Sequence, residues 1–272
     1  MKTAVLLSGD PRFNLEFDIQ AQNLINSEID WYMVFWYKDY NYPEATPGSF
    51  WEYQRNTYSP LFKSPYDLAR AREIIEPRLP KHHRLAHLEI LDPAGFKPDY
   101  SRFKQLPEPD LPYPILCNWH LVKKCWEVMN STGKEYQLVF RSRPDLAIYS
   151  RGPQGQQQPV DLQEVYQTLI NTNNPNILIS EIRNAMRALD VWAMGLPEAM
   201  SKYCSVVDYI EHFNVDLGFP FDPEQIVNEI WRRQFNLILP FGNVYCTLRT
   251  CGNNRPEDIG SYRWRPDFGS WV

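Results

Sequence analysis

Hydrophobic positions in the first forty residues come in short unbroken runs separated by a stretch with helical spacing. Thr3 to Leu7 is a mostly apolar run closed by Ser8, Gly9, Asp10 and Pro11, and such a run bounded by Gly and Pro reads as a buried strand ending in a turn. Phe13 to Asn26 follows with Leu15, Ile19, Asn23 and Leu24 near a 3.6-residue period, which predicts a helix. Asp30 to Tyr37 is a second apolar and aromatic run. Strand, helix, strand is the opening of a parallel α/β sheet, because parallel neighbours require a crossover.

Further along, Tyr66 to Glu76 predicts a helix stopped by Pro77, and Arg84 to Leu91 predicts a third strand. Residues 39 to 65, rich in Tyr, Pro, Asn and Ser, and residues 92 to 114, with six prolines, have no sustained period and read as irregular insertions. Ile115, Trp119, Val122, Trp126 and Met129 then recur at spacings of four, three, four and three, placing them on one helical face, and Gly133 is a natural stop. Tyr136 to Phe140 reads as a strand. Val160 to Ile170 reads as a helix and Asn176 to Ser180 as a strand. Asp190 to Gly195 is a short apolar stretch, followed by helices near Pro197 to His212 and Pro223 to Phe235. No repeat or composition break divides the chain, so residues 1–272 are expected to form one domain.

Composition narrows the chemistry. With 28 Lys plus Arg against 33 Asp plus Glu, the net charge of −5 argues against a protein that neutralises many phosphates of a long nucleic acid. Compact anionic ligands stay open, since local Arg clusters can oppose the net sign. No apolar run approaches the roughly 18 residues of a membrane span, and the start carries no signal-peptide pattern. Five cysteines without a C-x-x-C pair read as free thiols in a reducing, cytoplasmic setting.

The stretch with the most chemistry is Tyr136 to Ile148, where an apolar strand runs into Arg141, Ser142, Arg143, Pro144 and Asp145. Ligands of open α/β sheets collect at the carboxyl ends of strands. Pro144 lacks a backbone donor and biases Arg143 toward an extended conformation, so the strand stops pairing there. Asp145 placed in this way can bind a divalent cation, and the flanking guanidinium groups can hold phosphate oxygens; a structural Arg–Asp ion pair is the alternative. The similar pentapeptide Arg263 to Asp267 follows no apolar strand and reads as surface tail.

Two more stretches complete the set. Ser8, Gly9 and Arg12 surround the first strand's exit, where Gly9 permits close backbone approach and the following helix start would offer amides to an anion; an ordinary turn explains them equally well. Asp190, ahead of Gly195 and Pro197, is either a proton acceptor for a hydroxyl or a turn residue. His82, His83 and His87 read as solvated or rim residues on a strand, where His83 and His87 lie roughly 13 Å apart. The sequence contains neither a Walker nor a G-x-G-x-x-G motif, and no G-x-S-x-G elbow. Trp31, Trp36, Trp51, Tyr53 and Tyr58 are read as core and loop anchors, with stacking on sugar rings or bases as the alternative.

Together these stretches resemble a family of bacterial and large-virus polysaccharide or capsule glycosyltransferases. The likeness rests on Ser8 to Arg12; on Gln22, Asn23 and Leu24 ahead of the strand at Asp30 to Trp36; on the Arg-x-Arg-Pro-Asp strand at Tyr136 to Leu146; and on Asp190 to Met200. The resemblance implies a GT-A-like fold, with a mixed, mainly parallel sheet flanked by helices. It also implies hexosyl or pentosyl transfer from a nucleoside diphosphate sugar to a saccharide acceptor in polysaccharide synthesis, in the cytoplasm, or the host cytoplasm for a viral member.

In that reading Ser8, Gly9, Arg12, Arg141 and Arg143 bind the donor phosphates, and Asp190 serves the acceptor side. Asp145 takes the place of the later carboxylate of the Asp-x-Asp metal motif, holding Mn²⁺ or Mg²⁺. Arg143 stands where the earlier carboxylate would be, so transfer without a metal is the alternative. Two other readings fit the same residues: a non-catalytic carbohydrate- or nucleotide-binding module, and a sugar nucleotidyltransferase.

Overall fold

The computed structural model describes residues 1–9, 15–36, 68–92, 95–99, 101–106, 112–144, 146–180, 182–183, 187–188, 192–237, 244–248, 264–265 and 270–271. Strand β1 (Lys2–Gly9) is the pivot of the central sheet, flanked in parallel by β3 (Glu28–Trp36) and β5 (Leu138–Ser142). β4 (His83–Leu91) extends the sheet in parallel beyond β3, with a bulge between Trp31 and Tyr32. On the other side β12 (Ala193–Gly195) runs antiparallel to β5, and β9 (Leu178–Ile179) antiparallel to β12. The order β4-β3-β1-β5-β12-β9 is a mixed, mostly parallel sheet. Successive strands β1, β3 and β4 step outward one way, and β5 lies on the opposite side of β1. The topological switch point therefore falls between β1 and β5, where α/β sheets open a crevice.

Burial on both faces explains why β1 and β3 read as continuous runs rather than alternations. One face is covered by α1 (Leu15–Asn23), α2 (Leu68–Ile75) and α4 (Leu162–Asn171), with Val5, Leu7, Phe17, Ala21, Trp31, Met33, Ala71, Ile75, Phe140, Val165 and Leu169 in a single core cluster. The other is covered by α3 (Pro112–Ser131), α5 (Pro197–Cys204), α6 (Val207–Glu211) and α7 (Pro223–Glu229), around Ala4, Leu6, Tyr32, Val34, Trp119, Val122, Tyr203 and Trp231. Each fully buried large side chain contributes about 1.5–3 kcal/mol. α6 and α7 both run on into one turn of π-helix, at His212–Asp216 and Ile230–Gln234. Asn214 there is buried and holds Lys104 by its N–H (2.8 Å) and its carbonyl (2.9 Å), and also the Phe219 carbonyl (2.8 Å).

Several expectations are corrected. The first helix ends at Asn23, and Leu24–Ile25 form a short strand, β2, parallel to β8 (Val160–Asp161); Asn26, at φ 61°, follows that strand in the turn before β3. α3 starts at Pro112, so residues 112–114 belong to the helix, and prolines in a first turn lose no hydrogen bond. The strand expected at Tyr136 to Phe140 lies at Leu138–Ser142, and the one expected at Asn176 to Ser180 shrinks to two residues.

β6 (Leu146–Arg151) leaves the central sheet altogether, pairing with β13 (Val244–Leu248) and β7 (Gln157–Gln158). His83 is a core residue: it is 8% exposed, and its Nδ1 accepts from Trp31 Nε1 at 3.2 Å. Gly133 does close α3, at φ +65°. Among the described residues no helix is long and apolar enough to cross a membrane.

Candidate functional site

The parallel register puts the carboxyl ends of β1, β3, β4 and β5 on one edge of the sheet, at Gly9, Trp36, Leu91 and Ser142. Leu7 pairs with Ser142, so Ser8 and Gly9 lie beside the exit of β5. Gly9 adopts φ +128°, a region that side-chain-bearing residues avoid, and a Cβ built there meets nothing within 4 Å among the described residues. A ligand can thus reach this backbone closely. Ser8 is fully buried and its Oγ has no hydrogen-bond partner, an arrangement that costs about 1–3 kcal/mol.

β5 extends two residues past its expected end, and that changes Arg141. It sits inside the strand, opposite Leu6 on β1 and Ala193 on β12, and is 0% exposed. Its Nη2 donates to Asn118 Oδ1 at 3.3 Å, and its guanidinium lies 5.7 Å from the Trp119 ring centroid. Both partners come from α3. Cys125 and Cys204 are near it on this face, and burial pushes both thiols up, against the pull of Arg141. Both thiols stay protonated. Arg141 lies beneath the edge, while Arg143, half-buried, follows the strand's last residue at the edge itself.

After Ser142 the chain crosses from one sheet to the other within four residues. Gln20, fully buried on α1, spans that crossing: its Nε2 donates to the Arg143 carbonyl (3.1 Å) and the Leu146 carbonyl (2.7 Å). Asn23, one turn on, donates to the Ile148 carbonyl at 2.8 Å. The sequence reading missed Gln20, although the signal was present: Phe17, Gln20, Ala21 and Leu24 share one helical face, and an amide among apolar neighbours needs a partner.

At the far end of β3, Trp36, Phe96 and His120 lie near-parallel, with His120 4.1 Å from Phe96 and 5.9 Å from Trp36 between ring centroids. Burial holds His120 below its ordinary pKa. The opposite, amino edge carries a different cluster. Asp30 accepts from Arg84, from the Tyr136 hydroxyl (2.6 Å) and from Lys134 (3.5 Å). Burial opposes its ionisation, but these donors outweigh it and hold the carboxyl below the usual range.

Of the residues read as functional from sequence, Ser8, Gly9, Arg141 and Arg143 come together at the carboxyl edge of β1 and β5. Arg12, Asp145 and Asp190 lie outside the described residues, as do Trp51, Tyr53 and Tyr58. The described chain flanks them: Pro144 and Leu146 on either side of Asp145, and Trp192 two residues after Asp190. β12 runs antiparallel to β5 with Ala193 opposite Arg141, so its amino end faces the same edge. No protein-family model matches the chain, and no curated protein matches it either.

Proposed function

We infer that this protein is a glycosyltransferase that moves a hexosyl or pentosyl group from a nucleoside diphosphate sugar to a saccharide hydroxyl, in glycan or polysaccharide synthesis. The observation that carries the reading is the convergence, at the β1–β5 switch point, of an open glycine, a buried unpaired hydroxyl and two arginines. A diphosphate offers acceptor oxygens to the hydroxyl and negative charge to the guanidinium groups. Four parallel strands followed by a reversed one suit the GT-A-like fold implied by the Arg-x-Arg-Pro-Asp resemblance.

In this reading Gly9 lets the diphosphate approach the backbone, Ser8 and Arg143 bind its oxygens with Arg12, and Arg141 adds positive potential from the interior. A unit charge about 8 Å away is worth about 2 kcal/mol at an effective dielectric of 20. Arginine charge favours the transition state because negative charge grows on the leaving diphosphate as its bond to the sugar breaks. Asp190 takes the proton of the attacking hydroxyl, and direct displacement of that kind inverts the anomeric centre.

Among the described residues no three His, Cys, Asp or Glu side chains are grouped to hold a metal ion. A Mn²⁺ or Mg²⁺ ion would be held by Asp145 with diphosphate oxygens completing its shell, and would supply further charge neutralisation.

The test is release of nucleoside diphosphate from a panel of nucleotide sugars, with and without Mn²⁺. Slow hydrolysis of one donor by the wild type, abolished in Asp145→Ala, is expected. Binding without release from any donor would leave a carbohydrate- or nucleotide-binding module. Pyrophosphate release from a nucleoside triphosphate and a sugar phosphate would make the protein a nucleotidyltransferase.

A further inference from the structure

We propose that Gln20 is a positioning residue, which holds the Arg143 and Leu146 carbonyls and so presents Arg143 to the diphosphate; the inference rests on the site reading above. Three observations combine. First, the turn is a junction rather than a hairpin: β5 belongs to the central sheet and β6 pairs with β13 and β7, so no ladder between β5 and β6 fixes its shape. Second, the two carbonyls that Gln20 binds belong to the residues flanking Pro144 and Asp145. A single amide thereby spans the segment that carries the acidic residue. Third, Gln20 is 0% exposed and its Oε1 has no hydrogen-bond partner.

The amide orientation follows from chemistry, since the reversed amide would set an oxygen against two carbonyl oxygens. An unpaired buried oxygen is unfavourable, and an apolar side chain would fill a core position on α1 without it. What an apolar side chain cannot do is hold both ends of the turn. Asn23, bonded to the Ile148 carbonyl, secures β6 one step further on and leaves the turn itself to Gln20.

The clamp makes a chemically specific prediction through charge. In Gln20→Glu the carboxylate faces two carbonyl oxygens inside the core, which together with burial raises its pKa. Protonated, it donates one hydrogen bond and partly restores the clamp; ionised, it repels both carbonyls. Gln20→Met keeps the size and removes every donor.

The experiment uses the full chain and two readouts. Hydrogen exchange without ligand is followed for the peptide covering residues 142–147, and calorimetric Kd values are measured for UDP, GDP, CDP and ADP with millimolar Mn²⁺. In Gln20→Met the turn should exchange about tenfold faster while the peptides of β1 and β3 do not change, and the preferred diphosphate should bind about tenfold more weakly. In Gln20→Glu the affinity deficit relative to wild type should widen between pH 6 and pH 8.5, a trend that lost packing alone does not produce.

Wild-type exchange at the turn in Gln20→Met would overturn the clamp. Faster exchange with unchanged Kd, or a Gln20→Glu deficit flat with pH, would overturn its role in positioning. Failure of the wild type to bind any of the four diphosphates would instead remove the site reading and with it the positioning role, the clamp then standing or falling on exchange alone.

Discussion

Replacing His83 with glutamine should remove an acid-sensitive part of this protein's stability. The His83 ring is held neutral: burial first, then the neighbouring His82 ring 4.4 Å away, lower its pKa from 6.5 to about 4, against a smaller opposing effect of the Leu24 carbonyl. The geometry agrees, because Nδ1 must be unprotonated to accept from Trp31 Nε1.

The folded-state pKa lies below the unfolded one, so the unfolded chain takes up the proton first. Stability from this group is complete above pH 6.5, falls as pH drops toward 4, and then levels off. At about 1.36 kcal/mol per unit of pH, the loss is about 3 kcal/mol. A glutamine at position 83 keeps an acceptor for Trp31 and cannot titrate. Urea denaturation of wild type and His83→Gln at several pH values between 7.5 and 4 isolates the effect, since every other carboxylate and histidine is common to both proteins. The two stability curves should converge or cross as pH falls, with wild type losing about 3 kcal/mol more. Parallel curves across that range would refute the neutral, buried assignment.

Other consequences follow from single residues. Asn214→Ala removes three hydrogen bonds, two that tie the Lys104 backbone to the π-helical turn and one to the Phe219 carbonyl, and should cost about 2–4 kcal/mol by chemical denaturation. Gly195→Ala places a methyl 2.6 Å from Leu178 Cδ2 and 3.3 Å from Met200 Cγ, and should lower stability by about 1–3 kcal/mol. Asp30→Asn weakens the pairing with Arg84 and Lys134 at the amino edge; its lowered pKa means that its contribution is present at neutral pH and lost as pH falls through the carboxylate range, so the variant should flatten acid unfolding below pH 4. Asp145→Ala should lose nearly all donor turnover at unchanged melting temperature, whereas Asp267→Ala should leave turnover intact.

The parallel strands were legible in the sequence because burial on both faces turns β1 and β3 into unbroken apolar runs, and the long helix because its apolar period persists through Met129. The joining of Ser8, Gly9 and Arg143 at one edge followed from strand ends alone. Pairing across long separations was not legible. β6 and β13 are about a hundred residues apart, and nothing local to Val244–Leu248 signals its partner. Arg141 was read as lying past the strand's end because a charge after an apolar run usually marks one. Here Asn118 and the Trp119 face let the strand continue with a guanidinium inside it. His83 was misread for a similar reason: a histidine between His82 and Arg84 looks solvated until Trp31 supplies a buried donor.

The central claim is that a diphosphate binds where β1 and β5 diverge. Its most direct test is the hydrogen-exchange footprint of the preferred nucleoside diphosphate on the wild-type chain. Protection should concentrate in the peptides covering residues 8–14 and 142–147, with none around Asp30 and Tyr136 at the amino edge. Protection confined to the amino edge, or absent from both carboxyl-edge peptides at saturating ligand, would contradict the account.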